Sequence, residues 1–254
     1  MKQFAVLLCL LALFALAGCD VQQKQPLEPL AEQAEVPAEQ EPTAPPLEPE
    51  PVPESVPIPE PAAEDFVRVA DYIPDILVDL RYATEDNFTG EVIYGFTDAY
   101  LRYSTVKKLS AAQAALTEQG YGLKIWDAFR PVSAQFILWD ICPDGRYVAN
   151  PNKGFSSHSR GNTVDLTLVT LDGGDVVMPT GFDDFSSKAD RDYSDVDEEA
   201  AANAFLLENT MIEVGFKPYF GEWWHFSDTD SYDVEESFTP EENWESEEND
   251  NGCE

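Results

Sequence analysis

The sequence predicts a single α+β domain in which helices flank a small, mostly antiparallel sheet. Two observations favour this fold class. Amphipathic helical segments are interleaved with short segments whose apolar residues recur at every second position, and these strands lie close enough in sequence to pair locally. The unusual composition of the chain is confined to its two ends, which leaves one central region to form the core.

Three segments have the three-to-four-residue apolar spacing of amphipathic helices. They comprise residues 104–119, 131–139 and 197–214. Gly120 and Gly215 follow the first and the third segment, where glycine commonly ends a helix. Pro131 suits the first turn of the second segment, because the backbone N–H that proline lacks has no helical partner there.

Three further segments are predicted strands. They comprise residues 122–129, 163–169 and 220–226. In the second of them polar and apolar residues alternate, so Asp165 and Thr167 share one face of the strand and the apolar side chains share the other. The third is predicted from its high content of aromatic residues.

Most of the net charge of −34 lies in the flanks of the chain. Residues 26–65 contain eleven acidic residues and residues 228–254 contain twelve, and neither segment contains a Lys or an Arg. The excess of negative charge argues against nucleic acid and anionic lipid as partners. The Pro/Glu-rich segment has little to bury and is predicted to be a disordered tether.

Four parts of the chain are therefore predicted. They are a signal peptide over residues 1–19, the acidic tether over residues 20–65, the folded domain over residues 66–232 and an acidic C-terminal tail over residues 233–254. The aromatic residues Phe238 and Trp244 leave open whether part of the tail packs on the domain.

The N-terminus has the features of an export signal. Lys2 precedes an apolar run, residues 4–16, that is too short to cross about 30 Å of bilayer hydrocarbon. The run leads into LAGC at residues 16–19, which resembles the lipobox of bacterial lipoproteins. We expect an exported protein, anchored to the membrane through lipid on Cys19, at the cell surface or in the periplasm. An ordinary secretion signal with an incidental cysteine is the alternative.

The remaining cysteines bear on the compartment. Cys9 lies within the signal peptide, so removal of that peptide and lipidation of Cys19 would leave Cys142 and Cys253. An oxidising compartment would permit a disulfide between these two, and the sequence leaves that pairing open.

Both histidines of the chain lie in polar clusters. The first cluster is SSHSRGNTVD at residues 156–165, and the second is GEWWHF at residues 221–226. A catalytic zinc ion takes three nitrogen or oxygen ligands and leaves a fourth position to water. His158, Asp165 and His225 would supply such a set of ligands.

Two further residues could complete a hydrolytic site. Glu222 is a candidate base, because a carboxylate beside the ion can take a proton from water and pass it to the leaving amine. Arg130, at the end of the predicted strand 122–129, could stabilise the oxyanion. Each residue also has an ordinary structural explanation; Arg130, for example, could form a surface ion pair with Asp127. The presence of both histidines in the two clusters favours the metal site.

The clusters resemble the S-x-H-x-x-G-x-A-x-D and E-x-W-H signatures of the zinc D,D-peptidases, which cut D-alanine-containing cell-wall peptides. The resemblance is greater to the D-alanyl-D-alanine dipeptidases of the vancomycin-resistance type. It rests on DLRYATEDNFTG at residues 79–90, WDAFRP at residues 126–131, residues 156–168 and EWWH at residues 222–225. It extends over residues 71–226, which is nearly the whole of the predicted domain.

The resemblance implies one zinc ion per chain and roles for eight residues. The metal ligands would be His158, Asp165 and His225. Glu222 would act as general base and acid, and Arg130 would stabilise the transition state. The pocket around the two ends of a small dipeptide substrate would be shaped by Tyr82, Ser156 and Asp183, with Asp183 facing the substrate's ammonium.

Two features depart from the family pattern. Thr163 occupies the place where the pattern has Ala, and it is small and not a ligand. The resistance enzymes act in the cytoplasm, whereas the export signal would place this chain outside it. We therefore expect hydrolysis of free D-Ala-D-Ala or related dipeptides outside the membrane.

Other functions remain open from the sequence. The nearest is a D,D-carboxypeptidase or endopeptidase that acts on peptidoglycan stem peptides and would need an open groove. Another is a non-catalytic cell-wall-binding module, against which the presence of Glu222 and Arg130 argues. A serine hydrolase is disfavoured because the chain has no G-x-S-x-G sequence.

Overall fold

A computed structural model of the chain describes residues 60–240. Within these residues no helix combines the length and apolarity that are needed to cross a bilayer. The signal peptide with Cys19, most of the tether, Trp244 and Cys253 lie outside the described residues. The predictions made for them, including a disulfide between Cys142 and Cys253, therefore stay predictions.

Three α-helices and seven strands form the described part of the chain. The helices are α1 (Tyr103–Thr117), α2 (Val132–Ile141) and α3 (Glu198–Glu213). The strands are β1 (Phe66–Arg68), β2 (Leu77–Val78), β3 (Tyr100–Arg102), β4 (Tyr121–Asp127), β5 (Thr163–Thr170), β6 (Phe216–Pro218) and β7 (His225–Asp228).

The strands form two sheets. Five of them pair in the order β2-β4-β5-β7-β6, and only the β2–β4 pair in this sheet is parallel. The short strands β1 and β3 form a separate antiparallel pair. The α+β class with a mostly antiparallel sheet and flanking helices is therefore confirmed.

The core forms where two helices pack on the sheet. Helices α1 and α3 contact each other, and they contact β4, β5 and β6. Their apolar stripes, which include Leu109 and Met211, are fully buried in one cluster with Val164, Leu166 and Leu168 of β5. Burial of this apolar surface supplies the main stabilising free energy of the domain.

The central strands also bring polar residues together. The antiparallel register places Asp165 of β5 opposite His225 of β7, and it places Asp127 of β4 opposite Asp165. A register irregularity between Ile125 and Asp127 bends the end of β4 at this point. Three residues of potential chemical importance thus lie side by side across three neighbouring strands.

The predicted helices and central strands agree with the structure to within two residues at nearly all of their ends. Pro131 directly precedes α2, and Gly215, with φ of 101°, directly follows the C-cap residue of α3. The strand predicted over 122–129 ends earlier, at Asp127.

The strand predicted over residues 220–226 is wrong in its position. Strand β7 begins only at His225, and the residues before it form turns, in which the backbone N–H of His225 bonds to the carbonyl of Glu222. Trp223 and Trp224 are both about 1% exposed. Their aromatic character reflects burial in the core within a turn and not the alternation of a strand.

Ordered packing extends beyond residues 66–232 at both ends. Phe238 stacks on Phe66 at a ring-centroid distance of 4.2 Å and contacts the edge of Phe129. At the other end, the hydroxyl of Tyr103 donates a hydrogen bond to Glu60. The aromatic residue Phe238 therefore joins the first part of the tail to the domain.

Candidate active site

The first histidine is held by a tight turn. His158 lies in a 3-10 turn over Ser157–Arg160, and the Ser156 hydroxyl accepts a hydrogen bond from its backbone N–H. The turn ends at Gly161, which has φ of 75°. A Cβ atom there would lie 2.3 Å from the Phe66 ring, so both the backbone conformation and the space require glycine.

The second histidine is held by the sheet. The backbone of His225 pairs with that of Asp165 across β5 and β7, and its Nδ1 lies 2.9 Å from Asp165 Oδ1. His158 Nε2 lies 3.3 Å from Asp165 Oδ2 and 3.3 Å from His225 Nδ1. One ligand atom from each of the three residues lies within 4.8 Å of the others. The structure therefore brings together the three predicted ligands.

The hydrogen bonds of this trio fit a metal ion. His158 Nδ1 lies 2.9 Å from the carbonyl oxygen of Ala128, so its N–H donates there and the lone pair of Nε2 faces Asp165 and His225. Asp165 Oδ1 is buried 2.9 Å from His225 Nδ1, but no N–H of the described residues points at it to form a hydrogen bond. Such an oxygen is costly to bury unless a cation compensates for it. Two imidazoles and one carboxylate form a donor set typical of catalytic zinc.

The protonation of the trio is also suited to ligation. Burial raises the pKa of Asp165, but the nearby His158 and His225 outweigh it and hold that pKa below its ordinary value. Burial lowers the pKa of His158, whereas Asp165 and Asp127 raise it above its ordinary value on balance. Asp165 is thus a carboxylate, and a metal ion would bind in competition with a proton on histidine.

Glu222 lies beside the trio without belonging to it. Its Oε2 atom is 3.6 Å from His225 Nδ1. Burial raises the pKa of Glu222, and the charges of Asp165 and Asp183 add to that effect while His225 opposes it. A carboxylate whose pKa is raised by burial is well suited to accept and return a proton.

Arg130 is fixed by a buried network. Its Nε and Nη2 atoms donate to Asp127 Oδ2 at 3.0 and 2.6 Å, and Nη1 donates to Gln135 Oε1 at 2.9 Å. Asp127 is fully buried and also accepts a hydrogen bond from the Tyr94 hydroxyl. Burial lowers the pKa of Arg130, but Asp127 raises it well above its ordinary value. The ion pair considered from the sequence exists, but it is buried, and it orients a permanent positive charge.

Asp183 and Tyr82 form a second polar pair. The Tyr82 hydroxyl donates a hydrogen bond of 2.8 Å to Asp183 Oδ2. Asp183 has φ of 55°, a conformation that Asp and Asn adopt more readily than other residues with a side chain. Burial raises the pKa of Asp183 to about 7, although the Tyr82 hydrogen bond opposes the rise.

A cavity of about 270 Å³ lies at this point of the molecule. It is lined by the eight residues predicted for the site, namely Tyr82, Arg130, Ser156, His158, Asp165, Asp183, Glu222 and His225. A larger groove of about 570 Å³ between α2 and residues 235–240 contains none of the eight. The concentration of chemical groups, and not volume, identifies the candidate site.

Several contributors to the site were missed from the sequence. Asp127 was considered only as a surface partner of Arg130, whereas it is fully buried and joins Arg130 to Tyr94. Gln135 holds Arg130 from α2. The spacing of WDAFRP hinted at the first of these roles, because an Asp three residues before an Arg can reach it, but Tyr94 is too distant in sequence to leave any signal.

Comparison with known proteins agrees with this arrangement. The family model described as D-ala-D-ala dipeptidase matches residues 62–242. The chain belongs to this family. As a member of it, the chain is a peptidase, and the polar cavity is its candidate active site.

Three curated D-alanyl-D-alanine dipeptidases illustrate the similarity. The protein of Escherichia coli K12 is 36% identical over 162 residues, which cover 64% of this chain and 83% of the relative. That of Streptomyces coelicolor is 38% identical over 187 residues, with 64% and 91% covered, and that of Enterococcus faecium is 33% identical over 181 residues, with 63% and 90% covered. A solved structure of the LdcB LD-carboxypeptidase overlaps with a TM-score of 0.39 at 18% identity, covering 70% of this chain and 71% of the other. That degree of overlap supports no argument about function.

The raised pKa of Asp183 yields a first prediction. Asn at this position keeps the acceptor for Tyr82 and tolerates the positive φ, but it carries no charge. Since folding raises the pKa of Asp183 from 3.8 to about 7, the stability that it contributes is full below 3.8 and is lost as the pH rises through 7. Asp183→Asn should therefore stabilise the metal-free protein relative to wild type by an amount that grows up to pH 7, reaching about 4 kcal/mol.

Urea unfolding of both proteins between pH 4 and 9, in the presence of a chelator, measures this difference. Tyr82→Phe removes the hydrogen bond that lowers the pKa of Asp183. It should therefore move the pH-dependent change in stability that Asp183 causes to higher pH. A stability difference between Asp183→Asn and wild type that does not vary with pH would contradict the raised pKa.

Proposed function

We propose that this peptidase hydrolyses D-Ala-D-Ala and related dipeptides outside the cytoplasm, with one zinc ion per chain. The observation that carries the proposal is the presence, in one cavity, of a metal-binding trio, a neighbouring carboxylate and a buried acid–phenol pair. The names of the relatives support the choice of dipeptide.

Zinc would be held by His158, Asp165 and His225. When bound there, it would polarise the peptide carbonyl and make a water molecule acidic enough to react at neutral pH. Asp165 is ionised, and its Oδ1 atom accepts no hydrogen bond from the described residues. Both features favour a cation beside it.

Glu222 would transfer a proton from water to the leaving amine. It lies 3.6 Å from a proposed ligand and has a raised pKa, so it can take a proton from the attacking water and then donate it to the amine of the departing residue. The protein thereby ends the cycle with Glu222 in its starting state, and one water molecule has been added across the peptide bond.

Arg130 would stabilise the negative charge that develops on the carbonyl oxygen. Asp127 and Gln135 hold its guanidinium in place before the reaction, so little reorganisation is needed when the charge appears. The residue retains its positive charge despite burial, because Asp127 raises its pKa.

Asp183 would bind the ammonium group of the substrate. An arriving cation favours the ionised form of this buried acid, and the Tyr82 hydroxyl holds the carboxylate in position. At about 270 Å³, the cavity is slightly smaller than most small-molecule sites, in keeping with a dipeptide and not a long peptide.

The location of the reaction is proposed from the N-terminus. The LAGC sequence at residues 16–19 supports cleavage and lipidation at Cys19, which would anchor the protein to the outer side of a membrane. The acidic tether over residues 20–65 would then separate the catalytic domain from the lipid surface.

The choice of substrate can be tested with a blocked peptide. N-acetyl-D-Ala-D-Ala lacks the ammonium that Asp183 would bind, so its kcat/KM should be about 100-fold or more below that of D-Ala-D-Ala. Purified protein loaded with zinc and assayed for free D-alanine gives both values. Equal hydrolysis of the blocked peptide would favour a carboxypeptidase or endopeptidase acting on peptidoglycan stem peptides.

The division between ligands and base can be tested by substitution. Glu222→Ala should still bind one zinc ion but lose about a thousand-fold in kcat, in line with general acid–base catalysis. His225→Ala should lose zinc affinity itself. Metal analysis after dialysis and single-substrate kinetics measure the two effects, with Glu213→Ala, an exposed acid on α3, as the control. Loss of zinc from the Glu222→Ala protein would show that Glu222 is a ligand.

The membrane anchor can be tested in cells. Wild-type protein should incorporate labelled fatty acid and sediment with membranes, whereas Cys19→Ser should do neither. Cys142→Ser is the matched control, because it also removes a thiol but leaves the proposed lipidation site intact. Unlabelled wild-type protein in the soluble fraction would instead support an ordinary secretion signal.

A further inference from the structure

The charged groups of the cavity differ in how far other interactions already commit them. Three acids line it, Asp165, Asp183 and Glu222, against two arginines, Arg130 and Arg146. A dipeptide at neutral pH carries an ammonium at one end and a carboxylate at the other. Asp165 and Glu222 have roles in the proposed reaction and Asp183 suits the ammonium, so a cation that takes no part in the reaction would suit the carboxylate.

Arg130 already has two tasks. Three of its five N–H groups donate to Asp127 and Gln135, and the proposed function assigns the two that remain, one on Nη1 and one on Nη2, to the carbonyl oxygen of the scissile bond. It is held in a buried network, where turning towards a second carboxylate would leave Asp127 buried and unpaired. Such a change costs several kcal/mol, typically about 3 to 5.

Arg146 is in the opposite situation. Its side chain is 75% exposed, and within residues 60–240 its partner is Asp144, to which Nε and Nη2 donate while Nη1 has no hydrogen bond. Exposed ion pairs of this kind contribute only about 0 to 1 kcal/mol. Arg146 can therefore offer Nη1, or exchange Asp144 for a ligand carboxylate, at small cost.

The loop that carries Arg146 and the loop that carries Asp183 are in contact. The ring of Tyr147, the neighbour of Arg146, lies 4.3 Å from the ring of Phe185, which follows Asp183 by two residues. The Arg146 guanidinium in turn lies 5.0 Å from the centre of the Tyr147 ring. The loop with the cation and the loop with the anion thus meet through this aromatic pair at one cavity.

We propose that Arg146 binds the free C-terminal carboxylate of the substrate and thereby selects for dipeptides over peptides whose C-terminus is blocked or extended. The inference rests on the proposed function, because it assigns a specificity residue to that same site. Arg146 takes no part in the bond-breaking step, so its contribution is to binding. The opposite charges of Arg146 and Asp183 then match the two ends of a zwitterionic peptide.

Steady-state kinetics with D-Ala-D-Ala provide the first test. Arg146→Ala should raise KM about 10-fold or more and change kcat less than about threefold, because it removes an interaction made equally in the ground state and the transition state. Arg146→Lys keeps the charge without the planar fork and should give an intermediate KM. Lys153→Ala is the matched control, because it removes an exposed positive charge from the same connection between α2 and β5 but from outside the cavity.

The second test removes the carboxylate from the substrate. D-Ala-D-alaninamide retains the scissile bond and the N-terminal ammonium but has no C-terminal carboxylate, so it should bind wild type more weakly, and Arg146→Ala should weaken it no further. If Arg146→Ala reduces binding of the dipeptide and its amide by the same factor, the residue acts on the loop structure and the proposal is overturned.

Calorimetry separates this inference from the proposed function. Zinc-loaded Glu222→Ala protein should bind D-Ala-D-Ala without consuming it, and adding Arg146→Ala should raise Kd about 10-fold or more. If the wild-type enzyme left D-Ala-D-Ala intact, the proposed function would be wrong. The calorimetric Kd values would then decide whether Arg146 binds the carboxylate. A Kd that Arg146→Ala leaves within about twofold overturns the carboxylate assignment.

Discussion

The register between β5 and β7 is the constraint on which the site depends. It sets Asp165 opposite His225 at the centre of the sheet, while the turn that ends at Gly161 brings His158 to the same point. The result is a buried carboxylate with two imidazoles around it and one oxygen without a hydrogen bond in the described structure. A slip of one residue in either strand would turn one ligand to the opposite face of the sheet. The packing of β5 in one apolar cluster with α1 and α3 therefore maintains the position of the candidate ligands as well as the fold.

A second carboxylate, Asp127, organises the other half of the site. It accepts hydrogen bonds from Arg130, from the Tyr94 hydroxyl and from the backbone N–H of Ala128, whose carbonyl oxygen orients His158. The same short stretch at the end of β4 therefore orients both the guanidinium of Arg130 and the candidate metal-binding trio. This arrangement explains why a buried ion pair is present in a small domain, where apolar residues would be no less stabilising. The ion pair serves to orient the guanidinium of Arg130.

The sequence was most informative where the signal is local. Apolar periodicity predicts α1, α3 and β5, and two short polar clusters identify the histidines. It was least informative where structure depends on distant partners. Strands of two or three residues, such as β2 and β6, have no periodicity to detect, and the aromatic run before His225 predicted a strand because burial of Trp223 and Trp224 in a turn has the same composition. The bond from Tyr94 to Asp127 spans 33 residues and leaves no trace in either segment.

The stacking of Phe238 on Phe66 links the ends of the domain to its centre. The edge of the Phe66 ring occupies the space where Gly161 would carry a side chain, and Gly161 follows His158 by three residues. The first residues of the acidic tail thus help to set the position of a proposed metal ligand through one ring. The first part of the tail therefore packs as part of the folded domain. A domain boundary drawn from charge alone would remove Phe238 and with it the support that it gives to the candidate active site.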